Sequence, residues 1–230
     1  MKRMMMAVVL AVAGIAAADS DVDALKAVLE KATDAETQYS LGNCYAEGKG
    51  MVKDEGEAFK WYRKAAEQGH ADAQDRLAKC YYYGRGVATN ATQVVYWFRK
   101  AAAQGQLQAI HNLGSCYLYG TGVPIDKTEA VKWYRKAADL DFPPAQNNLG
   151  LCYANGYGVT KDEAEAVKWY RKSADAGFAY AQHNLADCYY HGRGVKQDAA
   201  EALKLYRKAA AQDFAAARYM VKYVEARKRK

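Results

Sequence analysis

The stretch LGSCYLYGTGV at residues 113–123, followed by AVKWYRKAA at 130–138, decides the fold, because both halves recur along the chain. Cysteine marks the period: Cys44, Cys80, Cys116, Cys152 and Cys188 stand 36 residues apart. Leu41, Leu77, Leu113, Leu149 and Leu185 keep the same step, as do Tyr45, Tyr81, Tyr117, Tyr153 and Tyr189. Trp61, Trp97, Trp133 and Trp169 share one slot, which Leu205 takes in the last unit. A fixed period of this length marks stacked units, none of which can bury its apolar face alone. The units run 35–70, 71–106, 107–142, 143–178 and 179–214, and a partial unit follows from Ala215.

Each unit reads as two helices. Ala73, Leu77, Cys80 and Tyr81 are spaced i, i+4, i+7, i+8, which puts them on one helical face. A G-x-G pair (Gly48/Gly50, Gly84/Gly86, Gly120/Gly122, Gly156/Gly158, Gly192/Gly194) then stops that helix, since glycine enters left-handed conformations cheaply. The second helix announces its start with Asp54-x-x-Glu57, Asn90-x-x-Gln93, Asp126-x-x-Glu129, Asp162-x-x-Glu165 and Asp198-x-x-Glu201. These predict capping boxes, in which each side chain satisfies a backbone N–H near the other. The second helix ends at Gly69, Gly105 and Gly177, with Asp141 and Asp213 in the other two units.

The motifs at 113–123 and 130–138, recurring over 35–214, resemble the Sel1-like repeat family, relatives of the tetratricopeptide repeats. The resemblance implies an all-α fold, an α-α superhelix or solenoid of five 36-residue helix-turn-helix repeats, its helix pairs wound right-handedly. One local departure is Val94 and Tyr96, where the other units have alanine and lysine.

The ends read differently. Lys2 and Arg3, the apolar run Met4–Ile15 and Ala16-Ala17-Ala18 predict a secretory signal over 1–18, cleaved near Ala18. The expectation is an exported, periplasmic or secreted protein with no transmembrane segment in the mature chain. Residues 19–34 read as an N-terminal capping helix, with Leu25, Val28 and Leu29 on one face. Residues 215–230 read as a C-terminal capping helix with a basic tail, covering the open end of the stack. The formal charge is +7, two lower once Lys2 and Arg3 are removed. Much of it comes from one Arg-Lys pair per second helix, for instance Arg63/Lys64 and Arg171/Lys172. These read as a solvated face with stems over aromatic rings, which argues against nucleic acid as partner.

Cysteine in an exported protein suggests disulfides, but equivalent helices pack about 10 Å apart and bridged Cα atoms need about 7 Å or less. All five therefore read as buried small hydrophobes, with no disulfide. Some cysteine-rich Sel1-like proteins carry two cysteines per repeat, and certain of them are described as penicillin-binding with weak β-lactamase activity. This chain lacks the second cysteine, so neither property carries over. Cys116 and His111, like Cys188 and His183, are five residues apart and lie about 140° apart around the helix, too far for a nucleophile–base pair. No metal-ligand spacing, nucleophile elbow or phosphate loop occurs, so the chain reads as a non-catalytic module without cofactor or metal.

A binding surface is expected where first-helix residues change from unit to unit. Counting Ala71 as position 1, positions 3, 7, 8, 10 and 11 form the core stripe and 5, 9, 12 and 13 the opposite one, on the concave face of such solenoids. Position 5 reads Tyr39, Asp75, His111, Asn147, His183, and position 9 reads Asn43, Lys79, Ser115, Leu151, Asp187. Position 12 reads Ala46, Tyr82, Leu118, Ala154, Tyr190, and position 13 reads Glu47, Tyr83, Tyr119, Asn155, His191. Tyrosines with hydrogen-bonding neighbours suit a protein or peptide segment, bound by a monomeric scaffold or adaptor. Cell-wall glycan, with sugars stacked on the tyrosines, is the alternative, and weak hydrolysis in the manner of the cysteine-rich relatives is a third.

Overall fold

The computed structural model describes residues 33–228. Among them are eleven helices and no strand: α1 (Ala35–Glu47), α2 (Glu55–Glu67), α3 (Ala71–Tyr83), α4 (Ala91–Ala103), α5 (Leu107–Tyr119), α6 (Lys127–Ala138), α7 (Pro143–Asn155), α8 (Glu163–Asp175), α9 (Ala179–His191), α10 (Ala199–Ala210) and α11 (Ala215–Lys228). Odd-numbered helices are the first of each repeat and even-numbered ones the second. The signal segment and nearly all of the expected N-terminal cap lie outside the described residues; Thr33 and Asp34 are not helical. Asp34 instead caps α1, its carboxylate accepting from Thr37 N at 2.9 Å.

The chain divides into two compact units, one running to Asn112 with Thr121–Pro124, the other comprising Leu113–Gly120 and Ile125 onward. In the first, α1 packs on α2, α2 on α3 and α3 on α4. In the second, α6 packs on α7, and the pattern continues helix by helix to α11. The leucine slot is closed to solvent: Leu41, Leu77, Leu113, Leu149 and Leu185 are all 2% exposed or less. Burying one such side chain contributes about 2 kcal/mol, so a slot filled once per repeat makes each unit depend on its neighbours.

A ring from the second helix lies against position 8 of the first. Gly42, Gly114 and Gly150 leave room for Tyr62, Tyr134 and Tyr170; a Cβ there would stand 2.6–2.7 Å from the ring. The two glycines of G-x-G do different work. The first takes the left-handed C-cap conformation, as at Gly156 (φ 70°), and donates its N–H to the Cys152 carbonyl. The second is held by close approach. A Cβ on Gly86 would lie 2.0 Å from Glu55 O, and on Gly158 2.1 Å from Lys127 O. Each of these loops thus seats on the first turn of the preceding repeat's second helix.

The second-helix caps form, but only halfway. Asp54, Asn90, Asp126, Asp162 and Asp198 each accept from backbone N–H groups at the helix start. The expected return bond from position N3 is replaced. The N–H of Asp54, Asn90, Asp126, Asp162 and Asp198 donates to the carbonyl of Tyr45, Tyr81, Tyr117, Tyr153 and Tyr189 at 2.9–3.1 Å. That bond ties the second helix to the first. The N3 carboxylates turn outward, as Glu57 does to Lys60 (2.6 Å) and Glu165 to Lys168 (2.8 Å). Asp141 and Asp213 hold the positive φ (56° and 61°) that glycine supplies elsewhere, which aspartate tolerates better than most residues.

Candidate functional site

The Arg-Lys pairs are absorbed by the fold. Lys64 Nζ lies 3.8 Å from the Trp61 ring centroid and Lys172 4.4 Å from that of Trp169. The arginine reaches the next repeat's first helix: Arg135 donates to Tyr153 OH, and Arg171 to Tyr189 OH at 2.7 Å. Arg207 meets Glu225 at the same offset of 18 residues.

The variable stripe splits into an inner and an outer part. Position 5 is largely enclosed. Asp75 and Asn147 are only 3% and 5% exposed, so their expected place on an open face is corrected. Asp75 pairs with Lys79 (2.6 Å) and accepts from Asn112, one repeat along, at 3.3 Å. Asn147 likewise accepts from Asn184 at 2.8 Å. Half-buried Tyr39 stacks on His70 with ring centroids 4.7 Å apart. His183 is half-buried among Tyr206, Phe214 and Asp187, its Nε2 3.8 Å from the Asp187 carboxylate. Burial pushes the His111 imidazole down to about 4, so it is neutral near pH 7.

In three of five repeats position 9 serves the core. Asn43 accepts from Tyr62 OH at 2.9 Å, Ser115 shares a 3.0 Å hydrogen bond with Tyr134 OH, and Asp187 accepts from Tyr206 OH. A buried phenol needs such a partner. These side chains vary, but each reaches the hydroxyl of its own repeat. A further internal set was missed in the sequence reading: Gln38, Gln74, Gln146 and Gln182 at position 4 are buried. Gln74 and Gln182 bond Gln104 and Gln212. Ile110 replaces glutamine in the third repeat; the recurrence of glutamine in four of five units was the available signal.

What stays open is the C-terminal rim of the first helices. In the first unit Tyr82 and Tyr83 are 49% and 59% exposed, edge to face at 4.8 Å, with Arg85 over the Tyr83 ring at 4.8 Å. In the second, Tyr119 is 74% exposed, and Asn155 and His191 are exposed beside their helix ends. Tyr190 is half-buried, accepts from Arg227 and packs on Tyr223.

All five cysteines are buried and unbridged. Burial pushes the Cys80, Cys116, Cys152 and Cys188 thiols up to about 11, which leaves them poor nucleophiles. Among the described residues no group of three or more His, Cys, Asp or Glu could hold a metal ion, and no helix is long and apolar enough to cross a membrane.

Helix pairs repeated at a 36-residue step define an α-α repeat protein. The family model of the Sel1 repeat matches residues 35–70, 71–106, 107–142, 143–178 and 179–214, so the chain belongs to the Sel1 repeat family. Its fold class is the all-α superhelix of that family. Among solved structures it is similar to a Sel1 repeat protein from Oxalobacter formigenes: 37% identity, TM-score 0.78, 82% of this chain and 75% of that one. It is also similar to a protective antigen of uropathogenic Escherichia coli with the same repeat fold: 38% identity, TM-score 0.74, over 83% of this chain but 41% of that one. An immunity protein from Pseudomonas aeruginosa, 23% identical with TM-score 0.57 over 82% of this chain and 68% of that one, shares the fold alone. Comparison with curated proteins finds no match.

Proposed function

We propose that the chain is a non-catalytic interaction scaffold that binds peptide or protein segments at the exposed C-terminal ends of its first helices, within each compact unit. The observation that carries this reading is the exposure of Tyr82, Tyr83 and Tyr119 there, while Asp75, Asn147, Asn43, Ser115 and Asp187 of the same stripe are engaged internally. Flat amphipathic rings cost little side-chain entropy to immobilise and are enriched among interface anchors. The buried, high-pKa thiols add support, since they remove the nucleophile a hydrolytic reading would need. The same reading puts the scaffold outside the cytoplasm, because Lys2-Arg3, the apolar run and Ala16-Ala17-Ala18 form an export signal. An N-terminus at Asp19 in the purified protein tests that part. The binding part is tested by replacing Tyr82, Tyr83 and Tyr119 together with serine and measuring partner capture from the native compartment. Loss of capture with unchanged helicity is expected, and undiminished capture refutes the reading.

A further inference from the structure

Two cavities, three repeats apart in sequence, are lined by matching residues. In the first unit a cavity of about 200 Å3 opens beside Ala46, with Ala58, Tyr62 and Cys80 among its lining. In the second, one of about 300 Å3 opens beside Ala154, with Ala166, Tyr170 and Cys188 in the same roles. Both have alanine at position 12. Lys53, Glu55 and Arg85 of the first recur as Lys161, Glu163 and Arg193 of the second.

The pair differs at positions 6 and 9. Arg76 and Lys79 line the first cavity where Asn184 and Asp187 line the second. In the second cavity Lys161 is closed on Glu163 at 2.8 Å, and Asp187 offsets Arg193. In the first, Lys79 is held by buried Asp75 at 2.6 Å, and Lys53 lies 3.6 Å from Glu55. Among the described residues Arg76 and Arg85 have no carboxylate within ion-pair distance, although Glu47 lies near enough to Arg76 to feel its charge. Arg76 hydrogen-bonds the Tyr39 hydroxyl and Arg85 lies over the Tyr83 ring, so the first cavity carries two guanidinium groups without a carboxylate partner beside a small, partly apolar hollow. Arginine forks match carboxylate geometry and pair with it more strongly than neutral donors do. Small-molecule sites run about 300–1,000 Å3, so a hollow of this size suits one side chain or chain end rather than a whole ligand.

We infer that this cavity receives a carboxylate of the bound segment, with Arg76 and Arg85 as its contacts and Ala46, Ala58 and Cys80 around the aliphatic stem. The inference rests on the scaffold reading above and gives it a chemistry: the partner is an acidic segment. Arg85 joins the two surfaces, since it lines the cavity and lies over the exposed Tyr83 ring. The carboxylate comes either from a glutamate or aspartate side chain or from a chain end.

The test is fluorescence anisotropy on the full chain with three labelled heptapeptides. They are an amidated peptide of alternating alanine and glutamate, its amidated glutamine counterpart, and the glutamine peptide with a free C-terminus. Binding of the first assigns a side chain, and binding of the third a chain end; either supports the inference. Arg76→Gln and Arg85→Gln, both at exposed positions, should each weaken that binding about tenfold with helicity unchanged. Arg193→Gln removes the same charge from the second cavity and should change affinity less than about twofold, as expected for a charge outside the site. Equal loss in Arg193→Gln, tight binding of the amidated glutamine peptide, absence of binding, or preference for inorganic phosphate would each overturn the inference. The scaffold reading fails separately: it is refuted if the tyrosine variants keep partner capture, whether or not the acidic peptide binds.

Discussion

Replacing Gly158 with alanine separates the two roles of G-x-G. Gly156 and Gly158 share a loop and nearly the same φ, 70° and 68°. Alanine at either position must adopt the left-handed region, at about 1–2 kcal/mol, partly offset by about 0.4–1 kcal/mol of lost unfolded-state entropy. At Gly156 the added Cβ meets Lys161 Cβ at 3.4 Å and nothing closer. At Gly158 it would stand 2.1 Å from Lys127 O, 2.3 Å from Lys127 C and 2.6 Å from Thr128 N. These atoms are backbone in the first turn of α6, so relief requires the loop to lift from the preceding repeat. Overpacking of this kind costs about 1–3 kcal/mol. Gly156→Ala should therefore destabilise by about 1 kcal/mol and Gly158→Ala by about 2–4 kcal/mol. Urea unfolding followed by circular dichroism gives both values. Repeats couple through their interfaces, so hydrogen exchange should also show early opening at the start of α6 in Gly158→Ala. Equal destabilisation by the two substitutions would refute the argument that close approach, rather than φ, selects the second glycine.

Two further predictions concern titration and thiols. The folded chain holds the His111 proton affinity near 4 against an ordinary 6.5, so between these values the unfolded chain binds the proton first. Stability falls as pH drops from about 6.5 towards 4, by at most about 3 kcal/mol from this group; His111→Gln should flatten that part of the profile, and an unchanged profile would contradict it. Ellman's reagent at pH 8 should react with less than one thiol per chain within minutes on the native protein and with five in guanidinium; a fast native phase or a shortfall after unfolding would contradict the buried, unbridged assignment.

Much of the fold was legible because its determinants are local and repeated. Leu77 and Cys80 share a helical face, Gly84 ends the helix, and Asn90 starts the next. Each is read within a few residues and confirmed by its copies. What resisted reading lies between repeats. A helical wheel places Asp75 opposite Leu77, but Asp75 is buried and bonded to Asn112, 37 residues along. Variability at position 9 looked like freedom for recognition. Asn43, Ser115 and Asp187 differ in kind, but each can bond a tyrosine hydroxyl, so chemistry constrains them without fixing identity. The capping box failed for a similar reason: the Asp54 N–H is taken by Tyr45 O, a tertiary bond invisible at the level of a four-residue motif. Tyr82, Tyr83 and Tyr119 stay exposed at the helix ends, with Arg85 over the Tyr83 ring.

The most direct test of the account is position-resolved photo-crosslinking in the native compartment. A benzophenone side chain is placed in turn at positions 82 and 119, on the first-helix rim, and at 64 and 172, on exposed second-helix surface. The account predicts discrete partner adducts at both 82 and 119 and none from 64 and 172. Adducts of equal yield from all four positions, or from the second-helix positions alone, would contradict it.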